Sequence, residues 1–298
     1  MSHSRRHVVD QGIVIIAILF FRTVWAGADP ETPEKLSGRL LYSRLTGGTW
    51  QVWRHDLATD TQEPLTTTPG DKRSPAWAPR GQAAYCTTDQ ACFLHRPDGV
   101  ELPLMASLRP LRWVAWSSDG RWMAFAKFHA DVVDNANLWI ARAEGQSPRL
   151  LTQGPGIQTQ VAWSPDGTQL AYAAGQGPES YDIYSIRADG THQRQLTSNH
   201  ANDFLPAWSP DGVWIAWSSN ISGDYEIWIM RADGSQPRQV THSPGLDTHP
   251  TWSPDGRHIA FATNRSGALE IWVMRPDGAG QHPLETAAQV AACDPTWQ

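Results

Sequence analysis

The chain has 298 residues, 40% hydrophobic and 18% charged, with 16 tryptophans and three cysteines. That hydrophobic share supports a folded core, and the length suits one large all-β domain as well as two average ones. The net charge is -6 and no run is rich in lysine or arginine, which argues against a nucleic-acid partner.

At the N-terminus, Arg5 and Arg6 precede an unbroken apolar run over residues 13–21, and Ala26, Gly27 and Ala28 follow. A basic start, a short apolar stretch and an A-x-A pattern read as an export signal cleaved after Ala26 or Ala28. Nine apolar residues fall short of the about 20 that span a bilayer, although an uncleaved signal anchor is the alternative. Residues 1–28 are therefore expected to leave. The remainder is expected to be periplasmic or secreted, with no stable membrane insertion. Their loss removes three arginines and one aspartate and takes the charge to -8. Residues 29–37 read as a short linker and residues 38–298 as one domain.

Strand signals begin at Arg39-Leu-Leu-Tyr42, Val52-Trp53 and Pro64-Leu65. A five-residue loop between two predicted strands then separates Cys86 from Cys92. Antiparallel neighbours at that spacing come within bonding distance, so an oxidising compartment favours a disulfide; two buried thiols are the alternative. Cys293 has no evident partner. Trp77-Ala-Pro-Arg-Gly81 and Trp116-Ser-Ser-Asp-Gly120 are variants of a unit that is identical at Trp163, Trp208 and Trp252, each followed by Ser-Pro-Asp-Gly. Successive tryptophans are 39, 47, 45, 44 and 45 residues apart, the last interval ending on Trp297.

Each unit carries four strand signals. A short strand ends in the tryptophan, and Ser-Pro-Asp-Gly turns it, with proline presetting φ and glycine taking the left-handed position. Apolar runs such as Ile259-Ala-Phe-Ala262 and Ile271-Trp-Val-Met274 follow, then a second Asp-Gly turn and a last strand such as Arg238-Gln-Val-Thr241. Runs that are apolar throughout suit strands covered on both faces. Four strands in such a period form a propeller blade. The last copy stops at its first strand, and Arg39-Leu-Leu-Tyr42 aligns without a gap on His258-Ile-Ala-Phe261. The expectation is an all-β, six-bladed β-propeller of four-stranded blades. A shared blade, with a C-terminal strand around Trp297 and N-terminal strands from residues 39–66, would close it and remove an open edge.

The repeat Pro-x-Trp-Ser-Pro-Asp-Gly-x-x-Ile-Ala-Phe…Ile-Trp-x-Met-x-x-Asp-Gly…Leu-Thr resembles that of TolB-type propellers over about residues 38–298. The resemblance implies a periplasmic or secreted interaction module linked to envelope function. It is to the propeller alone: the α/β domain that precedes the propeller in TolB is expected to be lacking here.

For a ligand, the residues just ahead of each repeat tryptophan are expected at the channel mouth: Asp71, Asn202, Asp203, Asp247, His249 and Asp294. They would make an acidic funnel for a cationic or peptide ligand, or else accept hydrogen bonds locally. His200 and His242 join His249, Asp203 and Asp247 as residues that could meet a metal, but no tight ligand spacing supports one. Most tryptophans read as inter-blade packing, with Trp50 and Trp113 as candidates for a ligand platform. No G-x-S-x-G, H-E-x-x-H, phosphate-loop or dinucleotide pattern appears, so no catalytic residue, cofactor or metal is assigned. The function expected is a monomeric, non-catalytic propeller that binds a protein or peptide segment at its channel mouth. The alternative is a polysaccharide lyase or glycosidase using channel acids and histidines, with or without a metal.

Overall fold

The computed structural model describes residues 36–129, 135–177, 181–284 and 291–298. The expected export signal, its expected cleavage site and most of the expected linker lie outside the described residues. The described residues belong to one unit, Leu36–Gln298.

The strands run in chain order as the repeat dictates. The first set is β1 (Arg39–Thr46), β2 (Thr49–Asp56) and β3 (Thr61–Pro64); the next is β4 (Lys72–Ala78), β5 (Gln82–Thr87), β6 (Cys92–His95) and β7 (Glu101–Leu104). Then come β8 (Leu111–Trp116), β9 (Trp122–Phe128), β10 (Ala136–Arg142) and β11 (Arg149–Leu150). The following unit is β12 (Ile157–Trp163), β13 (Gln169–Gly175), β14 (Tyr181–Arg187) and β15 (Arg194–Gln195). After it come β16 (Asp203–Trp208), β17 (Trp214–Ser219), β18 (Glu226–Arg231) and β19 (Arg238–Gln239). The chain ends with β20 (Asp247–Trp252), β21 (Ile259–Thr263), β22 (Glu270–Met274), β23 (His282–Pro283) and β24 (Ala292–Trp297).

Three local devices make each unit. In the Ser-Pro-Asp-Gly turn, Ser164 Oγ donates to Asp166 Oδ1 at 2.6 Å while accepting from Gln169 N at 2.9 Å. Gly167, at φ 69°, closes it by donating to Ser164 O. The second and third strands are sealed between neighbours, and all five residues of β21 are buried. The threonine of each Leu-Thr or Val-Thr end accepts from the third strand: Thr197 Oγ1 from Ile183 N at 2.9 Å, Thr241 Oγ1 from Ile227 N at 2.8 Å.

The sheets form an all-β propeller, but not the expected six separate four-stranded blades. Four sheets have four strands: β4–β7, β16–β19, β20–β23, and β24-β1-β2-β3. The eight strands β8–β15 instead form one eight-stranded sheet. The six-blade count is corrected to four separate four-stranded blades plus this double-length sheet. The cause is a parallel bridge of Ala136 with Ile157, extended by Ala136 N donating to Gly156 O at 3.1 Å. Next to this bridge, Gly156 lies at φ 85° and close against β13, where a Cβ would be 2.2 Å from Gly175 O. Counting repeats finds strands and is blind to hydrogen bonds between units.

The fourth sheet joins the ends of the described body. Leu40 pairs with Trp297, and Arg39 N donates to Gln298 O at 2.7 Å. Three repeat tryptophans stitch unit to unit: Trp163 Nε1 donates to Ala115 O, Trp252 to Ala207 O and Trp77 to Thr296 O, at 3.1–3.2 Å. Cys86 and Cys92 form a disulfide between β5 and β6, and Cys293 is a buried free thiol. Among the described residues no helix is long and apolar enough to cross a membrane.

Candidate functional site: a ring of left-handed residues around the central cavity

Each strand that carries a repeat tryptophan breaks its pairing register ahead of that residue. The shifts lie between Arg73 and Ala76, Arg112 and Ala115, Thr159 and Ala162, Phe204 and Ala207, and Thr248 and Thr251. A matching irregularity marks the pairing of β24 with β1. At every bulge one residue takes positive φ: Ser74 (52°), Trp113 (58°), Gln160 (55°), Leu205 (56°), His249 (54°) and Asp294 (56°). None is glycine, and left-handed backbone costs an L-residue roughly 1–2 kcal/mol. All six line one cavity of about 630 Å³, with the repeat tryptophans further along its wall.

Hydrogen bonds offset part of that strain. Ser74 N donates to Asp294 Oδ2 at 3.2 Å, Leu205 N to Gln160 Oε1 at 3.1 Å, and His249 N to Ser218 Oγ at 3.2 Å. Two ring side chains thus hold the backbone of the next ring residue.

The polar part of the ring is an ion network. Asp294 Oδ2 accepts from Arg73 Nε at 2.8 Å and from Ser43 Oγ at 3.1 Å, and Oδ1 from Arg73 Nη2 at 3.3 Å. His249 Nε2 lies 3.0 Å from Asp294 Oδ1. Burial alone would raise the Asp294 pKa, but Arg73 and His249 hold it well below the usual carboxylate range. Burial, with the Asp294 charge beside it, pushes the Cys293 thiol well up. The Arg73 guanidinium also lies 4.5 Å from the Trp50 ring centre.

Of the six residues expected at the channel mouth, the cavity gathers His249 and Asp294. Asp71 accepts from Trp50 N at 2.9 Å. Asn202 Oδ1 accepts from Tyr181 N at 3.4 Å, while its own N–H donates to Asn220 Oδ1 at 2.7 Å. Asp203, fully buried, accepts from Asn199 Nδ2 at 2.9 Å and Trp217 Nε1 at 3.2 Å. Asp247, also fully buried, accepts from Arg265 Nη2 at 2.5 Å and Ser243 Oγ at 3.1 Å. Asp71, Asn202 and Asp203 act as local acceptors, and Asp247 and Asp294 are each charge-paired with an arginine. Counting by twos puts Asp203 with Leu205 and Asp247 with His249 on one face, but the bulge residue turns the strand between them. Ser74, Gln160 and Leu205 escaped sequence reasoning. Their shared place, three residues before a repeat tryptophan, was the available signal.

Behind the ring, buried carboxyls meet in pairs. Burial raises Glu226 to about 7, with Asp247 adding to it against hydrogen bonds from Thr241 and Ser243. Burial also raises Asp182, the corresponding residue of the preceding unit, and Asp203 adds to it. Among the described residues, no group of three or more His, Cys, Asp or Glu side chains could hold a metal ion.

Fold and cavity together define the class: an all-β propeller whose bulged inner strands enclose a central cavity. The TolB beta propeller domain profile matches residues 98–226 and 204–297, and the chain belongs to that family. The Tol-Pal system protein TolB of Anaeromyxobacter dehalogenans (strain 2CP-C) is 27% identical over 135 residues, 44% of this chain and 30% of that protein. The chain thus spans less than a third of the curated relatives it matches. The crystal structure of TolB from Acinetobacter baumannii superposes with a TM-score of 0.75 at 22% identity, covering 89% of this chain and 67% of that one. The putative TolB from Agrobacterium tumefaciens gives 0.70 at 20%, covering 88% and 99%. At those identities the solved structures show the fold alone.

Proposed function

We propose that this chain is an exported, non-catalytic binding propeller of the cell envelope that takes a protein or peptide segment into its central cavity. The observation that carries the reading is the ring of six left-handed, non-glycine residues, all lining one space. Backbone strain of this kind persists where surrounding structure enforces it and gathers at binding sites. Here it presents a different side chain from each inner strand. Trp113 and Leu205 supply apolar surface. Gln160 and Ser74 supply hydrogen-bonding groups, and the Asp294 carboxylate is already satisfied by Arg73 and His249. Such a wall suits a segment with apolar and neutral polar groups better than a strongly cationic one. Membership of the TolB propeller family, and a relative named as a Tol-Pal system protein, support an envelope setting.

In-cell photo-crosslinking tests this. A photoreactive side chain at Gln160 should give one dominant protein adduct by mass spectrometry. The same group at Val213, an exposed residue outside the cavity, should not. Equal labelling from both sites would contradict the reading.

A further inference from the structure

Away from the central cavity, a depression of about 320 Å³ is lined by Gln169, Ser185, Arg187, His192, Arg194 and Asp233, with Ala232. Its two arginines belong to repeated series, and each breaks its series at this place.

Arg149, Arg194 and Arg238 each stand two residues before the Leu or Val that precedes the closing threonine of a unit. Arg149 Nη2 donates to Ala188 O in the turn of the next unit, and Arg238 Nη2 does the same to Pro276 O at 3.1 Å. The matching acceptor for Arg194 is Ala232 O, yet among the described residues its side chain makes no hydrogen bond.

The second series is Arg142, Arg187 and Arg231, which end the third strands. Their cross-strand partners are Trp122, Gln169 and Trp214. Arg142 and Arg231 lie over those indole rings, 4.2 and 5.5 Å from the centres. Arg187 faces a glutamine and has no ring beneath it. Among the described residues, neither guanidinium makes the hydrogen bond or ring contact of its series; each is left only the longer-range attraction of a neighbouring carboxylate, Arg187 to Asp189 and Arg194 to Asp233.

Two carboxylates stand close by, and each closes its own turn. Asp189 Oδ1 accepts from Thr191 N at 2.8 Å and Thr191 Oγ1 at 2.7 Å. Asp233 Oδ1 accepts from Ser235 N at 2.9 Å and Ser235 Oγ at 2.6 Å. Two further lining groups, Gln169 and Ser185, can donate. We propose that Arg187 and Arg194 form an oxyanion-binding site for a ligand bearing a carboxylate or phosphate group. The planar donor fork of arginine matches both.

Titration of the full chain with inorganic phosphate and, separately, acetate at fixed ionic strength tests this, read by amide shifts of Ser185 and Arg194. Saturation by phosphate alone assigns a phosphate-bearing ligand, and by acetate alone a carboxylate. Either supports the site, as does saturation by both. Arg187→Gln and Arg194→Gln should each weaken binding by about tenfold or more, as expected for losing one charge-assisted hydrogen bond. Arg238→Gln, whose guanidinium is engaged by Pro276 O, should leave it unchanged. Absence of saturable binding, undiminished affinity in both site variants, or equal weakening in Arg238→Gln would overturn the proposal.

Discussion

At the residue scale, Asp294 ties the ring together, since one carboxylate serves Arg73, His249, Ser43 and the backbone of Ser74. Removing one partner of a buried charge pair typically costs about 3–5 kcal/mol because the other is left uncompensated. Asp294→Asn should therefore lower unfolding stability by about 3 kcal/mol in urea titrations; a loss below about 1 kcal/mol would show that Arg73 finds other partners. Glu226 gives a second expectation. Its folded value of about 7 stands above the 4.5 of an unperturbed glutamate, so between these the folded state binds more protons. Its contribution is full below about pH 4.5 and is lost as pH rises to about 7. The depressed Asp294 acts oppositely, with stability present above the ordinary aspartate range and lost as pH falls. Glu226→Gln should flatten the stability profile between pH 4.5 and 7 and leave the acid limb intact, whereas an unchanged slope would refute the assignment. At this scale the sequence was only partly legible. His249 and Asp294 could be picked as channel residues. Asp203 and Asp247 looked equivalent to them, because nothing local in the sequence announces a left-handed residue two positions on.

At the scale of elements, legibility was higher. The Ser-Pro-Asp-Gly turns, the apolar central strands and the Cys86–Cys92 hairpin follow from local chemistry. Lateral bonding between units does not, and the merging of β8–β11 with β12–β15 rests on one bridge, Ala136 with Ile157. Gly156→Ala would place a Cβ 2.2 Å from Gly175 O on a backbone at φ 85°. It should destabilise the protein by at least about 2 kcal/mol in thermal unfolding, from overpacking and an unfavourable φ together. Gly177→Ala, which meets nothing within 4 Å and carries no positive φ, should cost far less. Similar losses in the two variants would mean that the close approach of Gly156 to Gly175 has little energetic weight. Thr241→Val removes the acceptor for Ile227 N and should cost about 1 kcal/mol, or up to about 3 if the amide is left unsatisfied; no measurable loss would assign the Leu-Thr ending to packing alone.

For the whole molecule, the propeller is a device for bringing distant residues together. Ser74 and Asp294 lie 220 residues apart in the chain and share a hydrogen bond at the cavity wall. Sequence spacing reveals the repeat that makes this possible, but not which face of each strand reaches the centre. The most direct test is the adduct captured from a photoreactive group at Gln160, compared between the native chain and a Trp113→Asn, Leu205→Asn double variant. Asparagine tolerates left-handed backbone better than either residue it replaces, so the fold should persist. The adduct should be lost from a chain that stays folded, with some thermal stability lost because Trp113 packs against the core. An adduct retained in full on the folded double variant would contradict the claim that the left-handed ring holds the ligand.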